Sequence, residues 1–111
     1  MAFVKIGGVA PAFTLLDQDG NKISLKQFKG VKKVVLYFYP KDNTPGCTLE
    51  SVDFQSLSGD FSKLGAVILG ISRDSTASHD KFRAKHGFSF DLLADTDETV
   101  CRQYDVIREK N

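Results

Sequence analysis

The sequence predicts an α/β fold in which a mixed β-sheet is flanked by helices. Three observations lead to this prediction. The apolar and aromatic run Val34–Tyr39 is typical of a β-strand buried on both faces, and Pro40 ends it. Helical spacing of apolar residues follows this central strand, and a second apolar run follows at residues 66–72. Strands that alternate with helices in this way indicate βαβ units.

An antiparallel pair of strands is expected before the central strand. Residues 11–16 are predicted to form the first strand and residues 22–25 its return, because Asp-Gly between them is a strong turn signal. Ser24 is a suitable cap for one helical turn through Phe28, and Gly30 would end that turn.

The helix after the central strand is predicted to start at a short loop rich in turn residues. Thr44 is a suitable N-cap, and Pro45 suits the first helical position. The helix should run to about Leu64, since Gly65 is a suitable stop. The Ser-Gly pair at residues 58–59 weakens its middle, so a kink or a break is expected there.

Further elements follow the second buried strand. We expect a helix over residues 76–85 with Phe82 on its inner face, a short strand over residues 91–94, and a short helix that ends near Tyr104. Thr96 or Asp97 would cap this last helix. Another strand is expected to begin at residues 105–108.

Two histidines, His79 and His86, fall seven residues apart on roughly one face of the predicted helix. No cysteine or carboxylate cluster joins them in the sequence. Two surface histidines are therefore favoured over a metal site.

Composition restricts the class of protein. The 111 residues allow one domain, and 41% apolar residues with a formal net charge of +1 give no argument for nucleic-acid or membrane binding. No stretch approaches the roughly 20 apolar residues of a membrane span. Two distant cysteines predict neither a disulfide scaffold nor a metal site. We expect a cytoplasmic protein without cofactor, and a monomer, with a dimer as the alternative.

The candidate nucleophile is Cys47, in the first turn of the predicted helix. Unpaired N–H groups and the helix dipole place partial positive charge there, which favours the thiolate, the reactive form of cysteine. The alternative is a cysteine buried as a small apolar side chain. Thr44 adds a hydroxyl three residues earlier, whose simplest role is that of the N-cap.

These residues carry a resemblance to a known family. Pro40, Thr44 and Cys47 stand in the P-x-x-x-T-x-x-C spacing of the peroxiredoxins, and the fuller string Y-F-Y-P-K-D-N-T-P-G-C-T-L-E is similar to the PrxQ, or bacterioferritin comigratory protein, branch. The segments P-A-F-T-L-L-D, L-G-I-S-R-D and L-L-A-D extend the resemblance over nearly the whole chain. It implies a single thioredoxin-like domain at residues 1–111, apparently without the C-terminal part of the family fold.

The resemblance also implies a thiol-dependent peroxidase that reduces hydrogen peroxide and organic hydroperoxides in antioxidant defence. Cys47 would be oxidised to a sulfenic acid. Thr44 and the Cys47 N–H would hydrogen-bond the peroxide, and Pro40 would shield the sulfur. Glu50 matches an acidic position of the family, although an acidic residue near a helix start has a simpler electrostatic reason.

Two features of the branch are missing from the sequence. Val52 and Arg83 occupy the two positions where members often hold a resolving cysteine. Cys101 is the remaining candidate resolver, but a structural core cysteine is the favoured interpretation. An external thiol such as thioredoxin, glutaredoxin or glutathione would then complete turnover. No residue inherits the family's active-site arginine, and Arg73 is expected to be a solvated loop residue.

Two other function classes remain open from the sequence. A thioredoxin-like disulfide exchanger uses C-x-x-C, but the matching residues here are Thr44–Cys47, which lack the first sulfur. The other class is a thioredoxin-like binding module without peroxidase activity.

Overall fold

Five strands form one mixed sheet in the computed structural model, which describes residues 10–104 and residue 106. The strands are β1 (Thr14–Leu16), β2 (Lys22–Ser24), β3 (Lys33–Phe38), β4 (Ala66–Ser72) and β5 (Asp91–Ala94). Their order in the sheet is β2-β1-β5-β4-β3. Strands β3, β4 and β5 are parallel, whereas β1 is antiparallel to both β2 and β5. The prediction of a mixed α/β sheet is confirmed.

Within the described part of the chain, three α-helices and one short 3-10 helix accompany the sheet. They are α1 (Pro45–Lys63), α2 (Thr76–His86), α3 (Thr99–Gln103) and the 3-10 turn Leu25–Phe28. Helix α1 runs without a break through its Ser-Gly pair. Ser75 caps α2 by accepting a hydrogen bond from the Ser78 N–H, and Gly87 ends it in the left-handed conformation.

The two faces of the sheet carry separate core clusters. The first cluster comprises Tyr37, Tyr39, Cys47, Ile68, Phe82, Phe88, Phe90 and Leu92. The second comprises Phe13, Leu69, Ile71, Leu93, Val100 and Cys101. Consecutive strand residues point to opposite faces, and Leu92 and Leu93 accordingly belong to different clusters. Helices α1 and α2 thus cover the first face, and α3 covers the second.

Among residues 10–104, the predicted central strand β3 lies at the edge of the sheet. Apolar side chains cover both of its faces, but it pairs only with β4. Of its six residues only Tyr37 is buried. The strand with two hydrogen-bonded neighbours and nearly continuous burial is β4.

The start of α3 also differs from the prediction. Glu98, in the left-handed conformation, occupies the N-cap position. The buried Asp95 carboxylate accepts hydrogen bonds from the N–H groups of Val100 (3.1 Å) and Cys101 (2.8 Å), while Asp97 accepts from the Thr99 N–H. The strand expected at residues 105–108 lies outside the described residues apart from Val106.

Among residues 10–104, none of the helices combines the length and the apolar character that crossing a bilayer requires.

A close contact between β3, β4 and β5 predicts one position that cannot carry a side chain. A Cβ atom at Gly70 would lie 2.8 Å from the Tyr37 hydroxyl and 2.9 Å from Leu92 Cδ2. We expect Gly70→Ala to lower the free energy of unfolding by about 1–3 kcal/mol, as overpacking does in other cores. Urea denaturation followed by circular dichroism measures the change.

Gly59 supplies the matched control for this substitution. It lies on the exposed side of α1, where an added Cβ atom would meet no other atom within 4 Å. Gly59→Ala should therefore raise stability by about 0.4–1 kcal/mol, since alanine restricts the unfolded chain. Equal effects of the two substitutions would contradict the close contact at Gly70.

Candidate active site

Cys47 is the third residue of α1, directly after the loop that leaves β3. The first hydrogen bond of the helical ladder runs from the Thr48 N–H to the Thr44 carbonyl, over 2.8 Å. The N–H groups of Gly46 and Cys47 therefore precede the ladder and remain available at the helix start. These groups place partial positive charge beside the sulfur.

Cys47 is largely buried in a core cluster that is rich in aromatic side chains. Cys47 is 8% exposed and belongs to the same cluster as Tyr37, Tyr39 and Phe82. Its sulfur is a free thiol. The site thus combines a largely enclosed sulfur with polar N–H groups at one helix end.

The loop side chains lie where the sequence predicted, with one difference. Thr44 is the N-cap residue of α1, but its hydroxyl does not cap the helix. It instead donates a hydrogen bond to the Lys41 carbonyl (3.1 Å). The hydroxyl oxygen consequently keeps lone pairs that can accept a hydrogen bond. Pro40 lies at the exposed beginning of the same loop.

A buried hydrogen bond holds α1 against the sheet one turn after the cysteine. The Tyr37 hydroxyl and Ser51 Oγ are 2.9 Å apart, and Ser51 has no exposed surface. The Tyr37 ring also stacks on Phe54 with 4.4 Å between centroids. Burial raises the pKa of Tyr37, so the phenol keeps its proton and remains a hydrogen-bonding group.

The expectation of two surface histidines is wrong for His79, which has no exposed surface. Its Nδ1 lies 2.8 Å from Asp42 Oδ2, and its Nε2 lies 3.0 Å from the Leu93 carbonyl oxygen. His86 is half-buried and stacks on Phe88 with 5.4 Å between centroids. A sequence signal for this burial existed, because His79 precedes the inward-facing Phe82 by three residues and so shares its helix face.

Asp42 receives several hydrogen bonds in addition to the His79 contact. Its carboxylate accepts from the Tyr39 hydroxyl (2.6 Å) and the Ser78 hydroxyl (2.8 Å). Burial alone raises the pKa of Asp42, but the hydrogen bonds from His79, Tyr39 and Ser78 and the charge of His79 outweigh it. The net effect holds the pKa below its ordinary value. The charged carboxylate is thus stabilised inside the fold.

The same cluster includes Asp74, and one ligand-type atom each from Asp42, Asp74 and His79 lie within 4.8 Å of one another. Such a spacing is compatible with a cation. Asp74 Oδ2, however, already accepts from the Asp42 N–H (2.8 Å) and the Ser72 hydroxyl (2.7 Å), and both His79 nitrogens are engaged. The geometry is therefore that of a closed hydrogen-bond network.

Three other residues that the sequence analysis considered are exposed or bonded to groups other than Cys47. Glu50 is exposed on α1. Arg73 forms an ion pair with Glu98 over 3.1 Å, and its side chain is 48% exposed. Arg83, at a position where the PrxQ branch often has a resolving cysteine, donates from Nε to the Phe90 carbonyl (3.0 Å).

Cys101 lies on the opposite face of the sheet from Cys47. It is buried in the second core cluster, beside Val100 and Leu93. Burial raises the pKa of the Cys101 thiol to about 12, with a further contribution from the neighbouring Asp95 carboxylate. The structure does not bring the two cysteines together in one cluster.

Comparison with known proteins gives consistent matches. The profile of the AhpC/TSA family matches residues 6–111. A putative peroxiredoxin bcp from Coxiella burnetii is 50% identical over 108 residues, which are 97% of this chain and 71% of that protein. Peroxiredoxin Bcp from Xanthomonas campestris is 62% identical over 92 residues, which are 83% of this chain and 57% of that protein.

A solved structure agrees with the sequence matches. The bacterioferritin comigratory protein of Xanthomonas campestris was studied in trapped intermediate and ligand complexes for its alkyl peroxide reduction activity. It superposes with a TM-score of 0.85 at 50% identity, covering 89% of this chain and 62% of that one. The chain thus spans under two thirds of the length of both Xanthomonas proteins. The sequence matches and the shared fold together establish that the chain belongs to the AhpC/TSA family and, within it, to the Bcp/PrxQ peroxiredoxins.

Proposed function

We propose that the chain carries the peroxide-reducing site of a thiol-dependent peroxidase, with Cys47 as the nucleophile. The observation that supports this most directly is the placement of Cys47 in the first turn of α1, behind the loop that contains Pro40 and Thr44. A dithiol exchanger is disfavoured, because Thr44 stands where such a protein needs its second sulfur.

The proposed first step is a two-electron displacement at the peroxide O–O bond. The Cys47 thiolate forms a bond to the terminal oxygen of a hydroperoxide, and the O–O bond breaks. Sulfur is oxidised to the sulfenic acid, and the other oxygen leaves as an alkoxide or hydroxide that takes up one proton. Hydrogen peroxide and organic hydroperoxides both fit this step, since only the leaving oxygen differs.

The helix start and Thr44 would hold the peroxide between them. The Thr44 hydroxyl donates its hydrogen bond to the Lys41 carbonyl, so its oxygen can accept a hydrogen bond from the peroxide O–H. The Cys47 N–H can donate to a peroxide oxygen and stabilise the charge that builds on it. Pro40 would limit the access of water to the sulfur. Glu50, exposed on α1, has only a distant electrostatic role in this proposal.

Regeneration would depend on thiols from outside the chain. The sulfenic acid condenses with one external thiol to a mixed disulfide and water. A second external thiol then attacks that disulfide, which releases the Cys47 thiolate and leaves a disulfide between the two external sulfurs. Thioredoxin, glutaredoxin and glutathione are the reductant classes that supply this chemistry. Cys101 is the internal alternative, but its burial on the other face disfavours it.

The proposal includes the setting of the protein. We take residues 1–111 to be one thioredoxin-like domain, monomeric, in a reducing compartment such as the cytoplasm. A reactive thiolate at Cys47 needs such a compartment, because glutathione and thioredoxin keep thiols reduced there.

Replacement of Cys47 by serine tests the nucleophile. Cys47→Ser should abolish peroxide consumption, because a hydroxyl cannot be oxidised in the way a thiolate can. Cys101→Ser should keep most of the activity, since that thiol lies in the opposite core cluster. A peroxide-consumption assay with dithiothreitol as the external thiol measures both variants. Equal activity of Cys47→Ser and the parent chain would refute the assignment.

Thr44 is tested by two substitutions of similar size. Thr44→Val removes the hydroxyl and should lower the rate of Cys47 oxidation about tenfold to a thousandfold, as the loss of one charge-stabilising group does in other enzymes. Thr44→Ser keeps the hydroxyl and should stay close to the parent rate. Stopped-flow kinetics with hydrogen peroxide provide the comparison. An unchanged rate in Thr44→Val would leave Thr44 with only its helix-start role.

The fate of the sulfenic acid tests how the site is regenerated. One equivalent of peroxide without added thiol should give mainly a sulfenic acid that dimedone traps at Cys47, because Val52 and Arg83 offer no sulfur. A Cys47–Cys101 disulfide should be minor. A disulfide needs Cα atoms within about 7 Å, and these two cysteines belong to clusters on opposite faces of the sheet. Non-reducing peptide mapping distinguishes the products. Rapid stoichiometric formation of that disulfide would instead identify Cys101 as the resolving cysteine.

A further inference from the structure

A buried pair of ionisable side chains joins the loop before Cys47 to helix α2. His79 on α2 has no exposed surface, and Asp42 in the loop is 5% exposed. Their closest atoms, Nδ1 and Oδ2, are 2.8 Å apart. Burying two such groups is costly unless they satisfy each other, so the contact constrains the relative position of loop and helix.

The hydrogen-bond pattern requires a proton between the two groups. His79 Nε2 faces the Leu93 carbonyl at 3.0 Å, and a carbonyl only accepts, so Nε2 carries a hydrogen. Nδ1 faces a carboxylate oxygen, and two lone pairs at 2.8 Å would repel each other. One proton therefore lies between Nδ1 and Oδ2, which makes this contact of the strong, charge-assisted kind.

Further contacts fix Asp42 from three other directions. Besides His79, its carboxylate accepts from the Tyr39 and Ser78 hydroxyls, and its own N–H donates to Asp74 Oδ2 over 2.8 Å. The Tyr39 hydroxyl and the Ser72 hydroxyl also approach the His79 ring, at 3.4 and 3.5 Å. The residue thus connects the segment directly after β3, the β4–α2 loop and α2 at one point.

Asp42 is placed so that its position controls the start of α1. Only Asn43, in the left-handed conformation with φ of 63°, separates it from the N-cap Thr44. Tyr39, which donates to the Asp42 carboxylate, belongs to the same aromatic cluster as Cys47. A shift of Asp42 would therefore disturb both the helix start and the aromatic cluster that includes Cys47.

We propose that Asp42 and His79 are positioning residues for the reaction of Cys47, acting through the loop and without contact to the peroxide. This inference rests on the proposed function, since it concerns the same sulfur. It assigns to α2 the role of a fixed support for the loop. Loss of the Asp42–His79 contact should loosen residues 40–48 before it affects the rest of the fold.

Two substitutions of His79 separate the two hydrogen bonds of the ring. Asparagine places an NH₂ group near the position of Nδ1, and glutamine places one near Nε2. His79→Asn should keep the contact with Asp42, whereas His79→Gln should keep only the contact with the Leu93 carbonyl. Both variants lose the imidazole ring and its packing. They differ in whether the hydrogen bond to Asp42 is kept.

Both variants are made in the Cys101→Ser background, so that Cys47 is the single thiol. We measure amide hydrogen exchange of residues 40–48, the rate of Cys47 alkylation by iodoacetamide, and peroxide reduction. His79→Gln should exchange faster in residues 40–48 and lose about 100-fold in peroxide rate, as expected for a misplacement near 1 Å. His79→Asn should stay closer to the parent in all three measurements.

Control variants distinguish loop positioning from general stability. Tyr104→Phe removes a hydrogen bond to the Pro11 carbonyl (2.7 Å) and keeps the ring, which packs against Phe38 and the second cluster. It should lower global stability without faster exchange in residues 40–48. If the His79 variants do not fold, Ser78→Ala removes one donor to Asp42, and Ser58→Ala, which removes a helical hydrogen bond to the Gln55 carbonyl (2.8 Å), is its control.

The outcomes separate this inference from the proposed function. Equal exchange and alkylation in His79→Asn and His79→Gln, or the same loop exchange in Tyr104→Phe, would overturn the positioning role. If Ser78→Ala and its control Ser58→Ala are used instead, unchanged amide hydrogen exchange of residues 40–48 in Ser78→Ala would overturn the positioning role. Exchange and alkylation do not require peroxide chemistry. A split between the His79 variants in a chain that fails to consume peroxide would support the positioning role and refute the peroxidase.

Discussion

The packing of α1 on the sheet depends on the contact between Tyr37 and Gly70. These two residues are paired across β3 and β4, and the absence of a side chain at Gly70 lets the Tyr37 ring lie against β4. The ring can then stack on Phe54 and place its hydroxyl beside Ser51, one turn beyond Cys47. A side chain at position 70 would move the ring, and with it the helix that carries the cysteine. The location of the sulfur thus follows from a space that only glycine leaves open.

The parallel arrangement of β3, β4 and β5 explains why distant polar residues meet beside this helix. The carboxyl ends of parallel strands lie at one edge of the sheet, so the loops that leave them converge there. Asp42 follows β3, Asp74 follows β4, and the Leu93 carbonyl belongs to β5. His79 on α2 contacts Asp42 and the Leu93 carbonyl, and Asp74 is connected to them through the Asp42 N–H. The chain therefore supports the loop before Cys47 with groups that are up to 51 residues apart in sequence, as between Asp42 and Leu93.

Local signals in the sequence were sufficient to place most elements. The apolar run at residues 66–72 became β4 and that at 91–94 became β5, because such runs have few alternatives to a buried strand. The turn residues before Cys47 likewise placed the start of α1 correctly. The edge position of β3 could not be predicted, since strand order depends on how the helices cross and not on the composition of one strand. The same limit applies to His79, whose burial is favourable only because Asp42 and Leu93, both distant in sequence, satisfy its two nitrogens.

The separation of the two sulfurs by the sheet bears on what α2 can do. A helix that carries a resolving cysteine has to move toward the reactive sulfur in each catalytic cycle. A helix that supports the loop before that sulfur has to keep its position. Here position 83 carries an arginine that donates to the Phe90 carbonyl, and His79 donates to the Leu93 carbonyl, so both tie α2 to the segment around β5. Cys101 is buried under the opposite face of the sheet, and burial together with Asp95 raises its pKa to about 12. It therefore requires no movement of α2. If Cys47 is the single reactive sulfur, as proposed, α2 can stay folded throughout the reaction and an external thiol can carry out the exchange.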